Sequence, residues 1–223
     1  MNQQLTVNES ALLFAQALFS NQKSAYSMKD DAIPIAGSMP TAYRRLNALK
    51  SLGIAKSNRG HFILNTSVLS QPHLLKQLLT SLEAFGKGRR FGRYYNDSDI
   101  KFARDNIPNG LITLDYKAWE LTEFQYPMDL YIYVDDVEGI ANYLRDNHFK
   151  EGKKGHVILL PKVGDFTNKL QRVYLDCIAK GGRSLQDAVA IELLHGDKLD
   201  VKGTFSIDLV NKVQSDLPVK STN

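Results

Sequence analysis

The sequence predicts an α+β protein: a small, basic, mostly helical unit closed by a β-hairpin, then an α/β domain with a small sheet and several helices. Three observations predict it. Apolar residues recur at helical spacing through the first half until two short strand-like runs end it, and strand-like and helix-like runs then alternate through the second half. Charge is also divided unevenly. Residues 1–95 carry twelve Lys and Arg against four Asp and Glu, a net +8, and the remainder carries sixteen against twenty, a net −4. A basic first half on a weakly acidic body suits a polyanion-binding module joined to something else.

The first half reads element by element. "NESALLFAQALFSNQ" places Leu12, Leu13, Leu18 and Phe19 on one helical stripe behind a cap at Asn8 or Ser10. "YSMKDDAIPIAG" offers a short second helix stopped by Pro34 and Gly37. "SMPTAYRRLNALKSLG" is a third helix, capped by Ser38, with Pro40 in its first turn, Gly53 as its stop and an inner stripe of Tyr43, Leu46, Leu49 and Leu52. "IAKSNRGHFILN" gives two short strands around Asn58, Arg59 and Gly60. Helix, short helix, capped helix and hairpin, over residues 8–66, is the order of a winged helix-turn-helix.

The chain continues with an amphipathic helix, "PHLLKQLLTSLEAF" from Pro72, and a glycine-rich basic stretch, "GKGRRFGR". These observations divide the chain into residues 1–85, the DNA-binding unit with its connecting helix; 86–93, a basic linker; and 94–223, the α/β domain. In the last, "NGLITLDYKAWELTEF" gives a strand and a helix, and "MDLYIYVDDVEGIANYLRDN" gives a strand over Leu130 to Val134 and a helix from Asp135 or Asp136. "GHVILLP" is a further strand, and "FTNKLQRVYLDCIAK", "SLQDAVAIELLHG" and "SIDLVNKVQSDL" are helices.

Composition sets outer limits. A chain of 223 residues with 43% apolar and 23% charged residues can bury an ordinary core. It has no apolar run near the ~20 residues of a membrane span, and "MNQQLTVNES" lacks a secretory profile, so a cytoplasmic protein with no membrane partner is expected. Its single cysteine, Cys177, leaves no intrachain disulfide and no multi-cysteine zinc site. No cofactor is expected.

A recognition helix turns one face to its own core and the other to a DNA groove. On the third helix this nominates Ser38, Thr41, Arg44, Arg45, Asn47 and Lys50, the arginines for guanine edges or phosphate and Lys50 for phosphate. On the hairpin it nominates Lys56, Asn58, Arg59 and His61 for backbone or minor-groove contact. Lys87, Arg89, Arg90 and Arg93 would add phosphate contacts from a flexible arm, unless the stretch is a solvated linker. Enzyme chemistry has one foothold, Asp135 and Asp136 at a strand end, where nucleotidyltransferases and nucleases keep metal-binding acids. A strand-end helix cap accounts for Asp135 or Asp136 more simply. The five histidines show no HxxxH or HxH spacing, so neither catalytic residues nor a metal site are assigned.

"VYLDCIAKGGRSLQDAV" contains Cys177 beside Asp176, but helical periodicity turns Cys177 inward as a small apolar residue. Gly181 and Gly182 read as a helix stop and Ser184 as the next cap, which leaves Arg183 without a geometric duty. The same corner, with Tyr174, Asp176, Gly181, Gly182 and Arg183, resembles the tyrosine-leucine-aspartate, glycine-glycine-arginine pattern of the AbiEi-type antitoxins of type IV toxin-antitoxin systems. The resemblance takes in the winged helix and the strands "MDLYIYVDD" and "GHVILLP", and it is weak over residues 94–128. It implies a transcriptional repressor that binds operator repeats in its own promoter, in double-stranded DNA, and that counteracts a separately encoded AbiEii-type nucleotidyltransferase toxin without assumed direct binding. The second helix, with Pro34, is shorter than such a motif normally has. A winged-helix protein-interaction adaptor is the remaining alternative.

Overall fold

The computed structural model describes residues 7–52, 54–65, 69–70, 72–93, 96–163, 168–200, 202–203 and 205–218. They form a mixed α+β structure with two small sheets. The first half comprises α1 (Val7–Phe19), β1 (Tyr26–Ser27), α2 (Ile33–Ala36), α3 (Met39–Ser51), β2 (Ala55–Asn58), β3 (His61–Leu64) and α4 (Pro72–Gly86). The strands make a three-stranded antiparallel sheet in the order β1-β3-β2, with Tyr26 opposite Phe62 and Asn58 opposite His61.

Strand β1 was not expected, and it lies where the sequence suggested the beginning of the second helix. The reversal that follows it is built on Asp31, a buried carboxylate that accepts from the Ser27 N–H at 2.7 Å and from Lys23 Nζ at 2.6 Å. Burial pushes the Asp31 pKa up, but the Lys23 ammonium and the Ser27 amide outweigh it and hold the carboxyl below its ordinary value. A wide helical turn, Met28–Ala32, then runs directly into α2. Pro34 does not stop this helix. It sits in the first turn of α2, where no N–H is needed, and Gly37 ends the helix at φ 81°.

Two stripe assignments also change. In α1 the core face is Ala11, Leu12, Phe14, Ala15 and Leu18, and Leu13 is 44% exposed. In α3 the buried positions are Ala42, Leu46, Ala48 and Leu49, and Tyr43 is 50% exposed. Ala42, Leu46 and Leu49 keep the i, i+4, i+7 spacing of one helical face, so the small residue took the place given to the aromatic one.

The second half comprises β4 (Arg89–Gly92), α5 (Asn96–Asn106), β5 (Leu111–Thr113), α6 (Leu114–Thr122), β6 (Leu130–Val134), α7 (Val137–Asp146), β7 (Lys150–Glu151), β8 (Val157–Pro161), α8 (Lys169–Lys180), α9 (Ser184–His195) and α10 (Ile207–Asp216). Its five-stranded sheet runs β5-β6-β8-β4-β7. Only β6 and β8 pair in parallel, joined through α7, as a parallel pair requires. The stretch 86–93 is therefore not a linker, because β4 lies inside this sheet between β8 and β7. Helix α5 and strand β7 also went unread from the sequence.

Alternation along β6 divides the core. Tyr131 and Tyr133 join a cluster on one face of the sheet, and Leu130, Ile132 and Val134 join another on the opposite face with Phe91, Val157, Leu159 and residues of α5 and α7. The first cluster does not stop at the sheet. It runs without interruption from Leu12, Leu49 and Phe62 through Leu78 and Leu82 of α4 to Val173, Tyr174 and Ile178 of α8. The two halves separated in the sequence thus share one apolar core.

Candidate nucleic-acid interface

Helix α3 begins at Ser38, whose extended backbone and Oγ cap the helix by accepting from the Thr41 N–H at 3.4 Å. The same hydroxyl donates to Thr41 Oγ1 at 2.9 Å, so Ser38 and Thr41 first of all serve the helix start. Beyond them the outer face of α3 presents Tyr43, Arg44 and Asn47, all exposed. Arg45 is turned differently. Its Nε donates to Ser10 Oγ at 3.0 Å and its guanidinium lies 5.7 Å from the centre of the Phe14 ring, so it binds α3 to α1. The structure withdraws Arg45 from the outer face and adds Tyr43. The signal that could have found this was the spacing of Ala42 with Leu46 and Leu49.

The hairpin turns through Arg59 at φ 42° and Gly60 at φ 82°. Two left-handed residues in a two-residue loop match the twist of paired strands, and glycine meets the second demand without strain. Register then fixes the faces: Phe62 and Leu64 point to the core, and Lys56, Asn58, Arg59 and His61 are exposed. The side chains of Arg44, Lys50, Lys56 and Arg59 have no ion-pair or hydrogen-bond partner among the described residues. Such cations keep their full affinity for an external phosphate.

The cations of 86–93 have the opposite fate. Lys87 pairs with Glu83 at 2.6 Å, and Arg89 pairs with Glu138 and, bidentate, with Glu151. Arg90 donates to Asp129, to the Gly155 carbonyl and to the Tyr131 hydroxyl. Arg93 lies 2.8 Å from buried Asp99 and over the rings of Phe102 and Phe149 at 4.8 and 4.3 Å. The Arg89 and Arg145 guanidiniums hold the Glu151 carboxyl down, to about 2. These residues clamp the sheet to α5 and α7 and do not form a free arm.

Asp135 and Asp136 are also committed. Asp136 Oδ1 accepts from the Gly139 N–H at 2.9 Å as the cap of α7, and Asp135 lies 3.2 Å from Lys162 Nζ. Among the described residues, no three His, Cys, Asp or Glu side chains are grouped to hold a metal ion, and no helix is long and apolar enough to cross a membrane.

The corner between α8 and α9 carries structural chemistry at every quoted position. Asp176 is fully buried and accepts from Ser81 Oγ at 2.6 Å, Thr113 Oγ1 at 2.7 Å and Tyr133 OH at 3.0 Å, with Arg172 Nε 3.0 Å away. One carboxylate therefore joins α4, β5, β6 and α8. Burial raises its pKa, and the Arg172 charge and three hydroxyls oppose that rise. Tyr174 donates to Glu192 of α9. Cys177 is buried, and burial pushes its thiol well up, away from the thiolate a nucleophile needs.

Gly181 and Gly182 turn the chain at φ 67° and 57°, and Gly181 has a second reason to be glycine. A Cβ there would stand 2.9 Å from the Ser51 carbonyl oxygen, so this corner seats the C-terminal end of α3. Ser184 does not cap α9; its hydroxyl lies 3.4 Å from Asp115 Oδ1, and Arg183 precedes the helix without a side-chain cap. Arg183 does have a geometric duty. It donates to Gln125 Oε1 at 2.5 Å and to the Tyr126 carbonyl at 2.8 Å, fastening the corner to the segment after α6. Beneath it, burial first and then the repulsion of Asp115 push the Asp187 carboxyl up to about 7, against the pull of Arg183 and Lys180.

Compared with known proteins, the chain matches no family model, no curated protein and no solved structure.

Proposed function

We propose that residues 8–66 are a winged helix-turn-helix that binds double-stranded DNA, and that the chain is a repressor of its own promoter. The observation that carries this reading is the set of uncompensated cations on α3 and the hairpin: Arg44 and Arg59, flanked by Lys50 and Lys56, in a structure that neutralises most of its other arginines internally. The succession α2, Gly37, Ser38, α3 and hairpin supports it, because this is the element order such a unit needs and Tyr43, Arg44 and Asn47 of α3 are exposed.

In this reading Arg44 and Asn47 meet base edges or phosphate, Tyr43 meets the groove wall, and Asn58, Arg59 and His61 meet the adjacent backbone. The second half holds α3 in place through the α8–α9 corner. Following the resemblance of that corner, the chain is further proposed to act as an antitoxin that counteracts a separately encoded nucleotidyltransferase. The test of the DNA reading is a gel shift on a duplex from the promoter ahead of its own gene. Arg44→Ala with Arg59→Ala should lose roughly 1–3 kcal/mol for each good base contact removed. A double variant that shifts the duplex like wild type overturns it.

A further inference from the structure

Between the end of α3 and the C-terminal helices lies a cavity of about 380 Å³, lined by Lys50, Ala55, Lys56, Leu185, Phe205 and Leu209 together with Ser57 and Ser206. Its volume is within the range of small-molecule sites, which are mostly apolar with a few polar groups that fix orientation. The walls come from both halves of the chain: α3 and β2 on one side, α9, α10 and the residues before α10 on the other. Two lysines stand on one wall with no ion-pair partner among the described residues, and the opposite wall is leucine and phenylalanine with one serine, Ser206.

We propose that this cavity is a binding site for a small amphipathic carboxylate, aliphatic or aromatic, whose apolar body lies against Leu185, Phe205 and Leu209 and whose carboxylate is held by Lys50 and Lys56. Charge complementarity selects the class. A neutral molecule of the same shape leaves both ammonium groups facing an apolar body, and a cation adds repulsion to the same burial. The site also has a consequence for DNA, which rests on the function proposed above. Lys50 and Lys56 are at the margin of the α3 and hairpin surface, so a bound carboxylate neutralises cations otherwise offered to phosphate and lowers DNA affinity.

The experiment is calorimetric titration of the full chain with octanoate, octanol and octylamine, followed by DNA binding with and without saturating octanoate. Octanoate should bind saturably at one site per chain, about tenfold more tightly than octanol, with no binding of octylamine. Lys56→Gln should reduce octanoate affinity about tenfold, and Leu209→Trp, which fills the cavity, should abolish it; thermal melts confirm that both are folded. Should Leu209→Trp melt early, Lys56→Gln, on an exposed strand position, decides the matter. Octanoate should weaken DNA binding by wild type and not by a folded Leu209→Trp. Equal affinity for octanoate and octanol, or no saturable binding, overturns the site. Octanoate binding with unchanged DNA affinity overturns the coupling, and octanoate binding by a chain that fails to bind DNA overturns the DNA reading while upholding the site.

Discussion

Two groups of cations close together in this sequence meet opposite surroundings. Arg44 and Arg59, with Lys50 and Lys56, lie on α3 and the hairpin where the chain supplies few acids, and they remain without partners among the described residues. Arg89 and Arg90 lie on β4, inside a sheet, and Arg93 follows its last residue; neighbouring elements contribute Asp99, Asp129, Glu138 and Glu151, and each arginine is ion-paired. Counting charge places both groups in the same basic half. Pairing separates them, because a cation whose field is already met by a fixed carboxylate has little left for a phosphate. The difference teaches that a basic stretch is an interface only where the fold leaves it uncompensated.

Four perturbations sharpen that contrast. The largest effect belongs to the internal side. Asp176→Ala strands the Arg172 charge in the core and should cost about 3–5 kcal/mol in urea unfolding, whereas Asp176→Asn keeps part of the hydroxyl network and should cost less. Next is Asp187. Its folded-state pKa of about 7 lies above its unfolded value, so the folded chain binds the extra proton, and stability falls as pH rises from about 4 through 7. Asp187→Asn should therefore raise stability by about 2–4 kcal/mol at pH 8 and change little at pH 4, read as unfolding midpoints at the two pH values.

Arg93→Ala removes the partner of buried Asp99 and a guanidinium packed on two rings, and should cost about 2–3 kcal/mol with DNA affinity of the folded fraction unchanged. The smallest stability effect belongs to the outer side. Arg44→Ala with Arg59→Ala should stay within about 0.5 kcal/mol of wild type in the same unfolding assay, although it removes two of the proposed DNA contacts.

Much of the fold was legible in the sequence, this contrast was not, and the failures share a cause. The helices α1 and α3, the hairpin of β2 and β3, the strands β6 and β8, and the helices after them follow from local periodicity, caps and turns, which the sequence carries within a few residues, whereas the short β1 does not. The inward Cys177 followed from the same periodicity. The pairing of β4 did not, because "GKGRRFGR" looks like a flexible basic arm until Glu138 and Glu151, some fifty to sixty residues later, come to lie against Arg89. Tyr43 and Ala42 compete for one helical face, and hydrophobicity alone favours the wrong one; close packing against α1 admits only the smaller. The duty of Arg183 depends on a carbonyl and an amide after α6, which no spacing rule connects to it. The candidate DNA contacts rest on position along a helix and a turn, and the structure narrows that set by what it ties down.

The most direct measurement of the central claim is the salt dependence of DNA affinity for three forms of the chain: wild type, Arg44→Ala with Lys56→Ala and Arg59→Ala, and Arg89→Ala with Arg90→Ala. Each phosphate contact contributes a slope of about −0.9 in the log of the binding constant against the log of the salt concentration. The expected result is a steep slope for wild type, a slope shallower by roughly two to three in the first variant, and the wild-type slope in whatever fraction of the second remains folded. Equal slopes in all three forms, or a loss confined to the β4 variant, would contradict the assignment of the DNA surface to α3 and the hairpin.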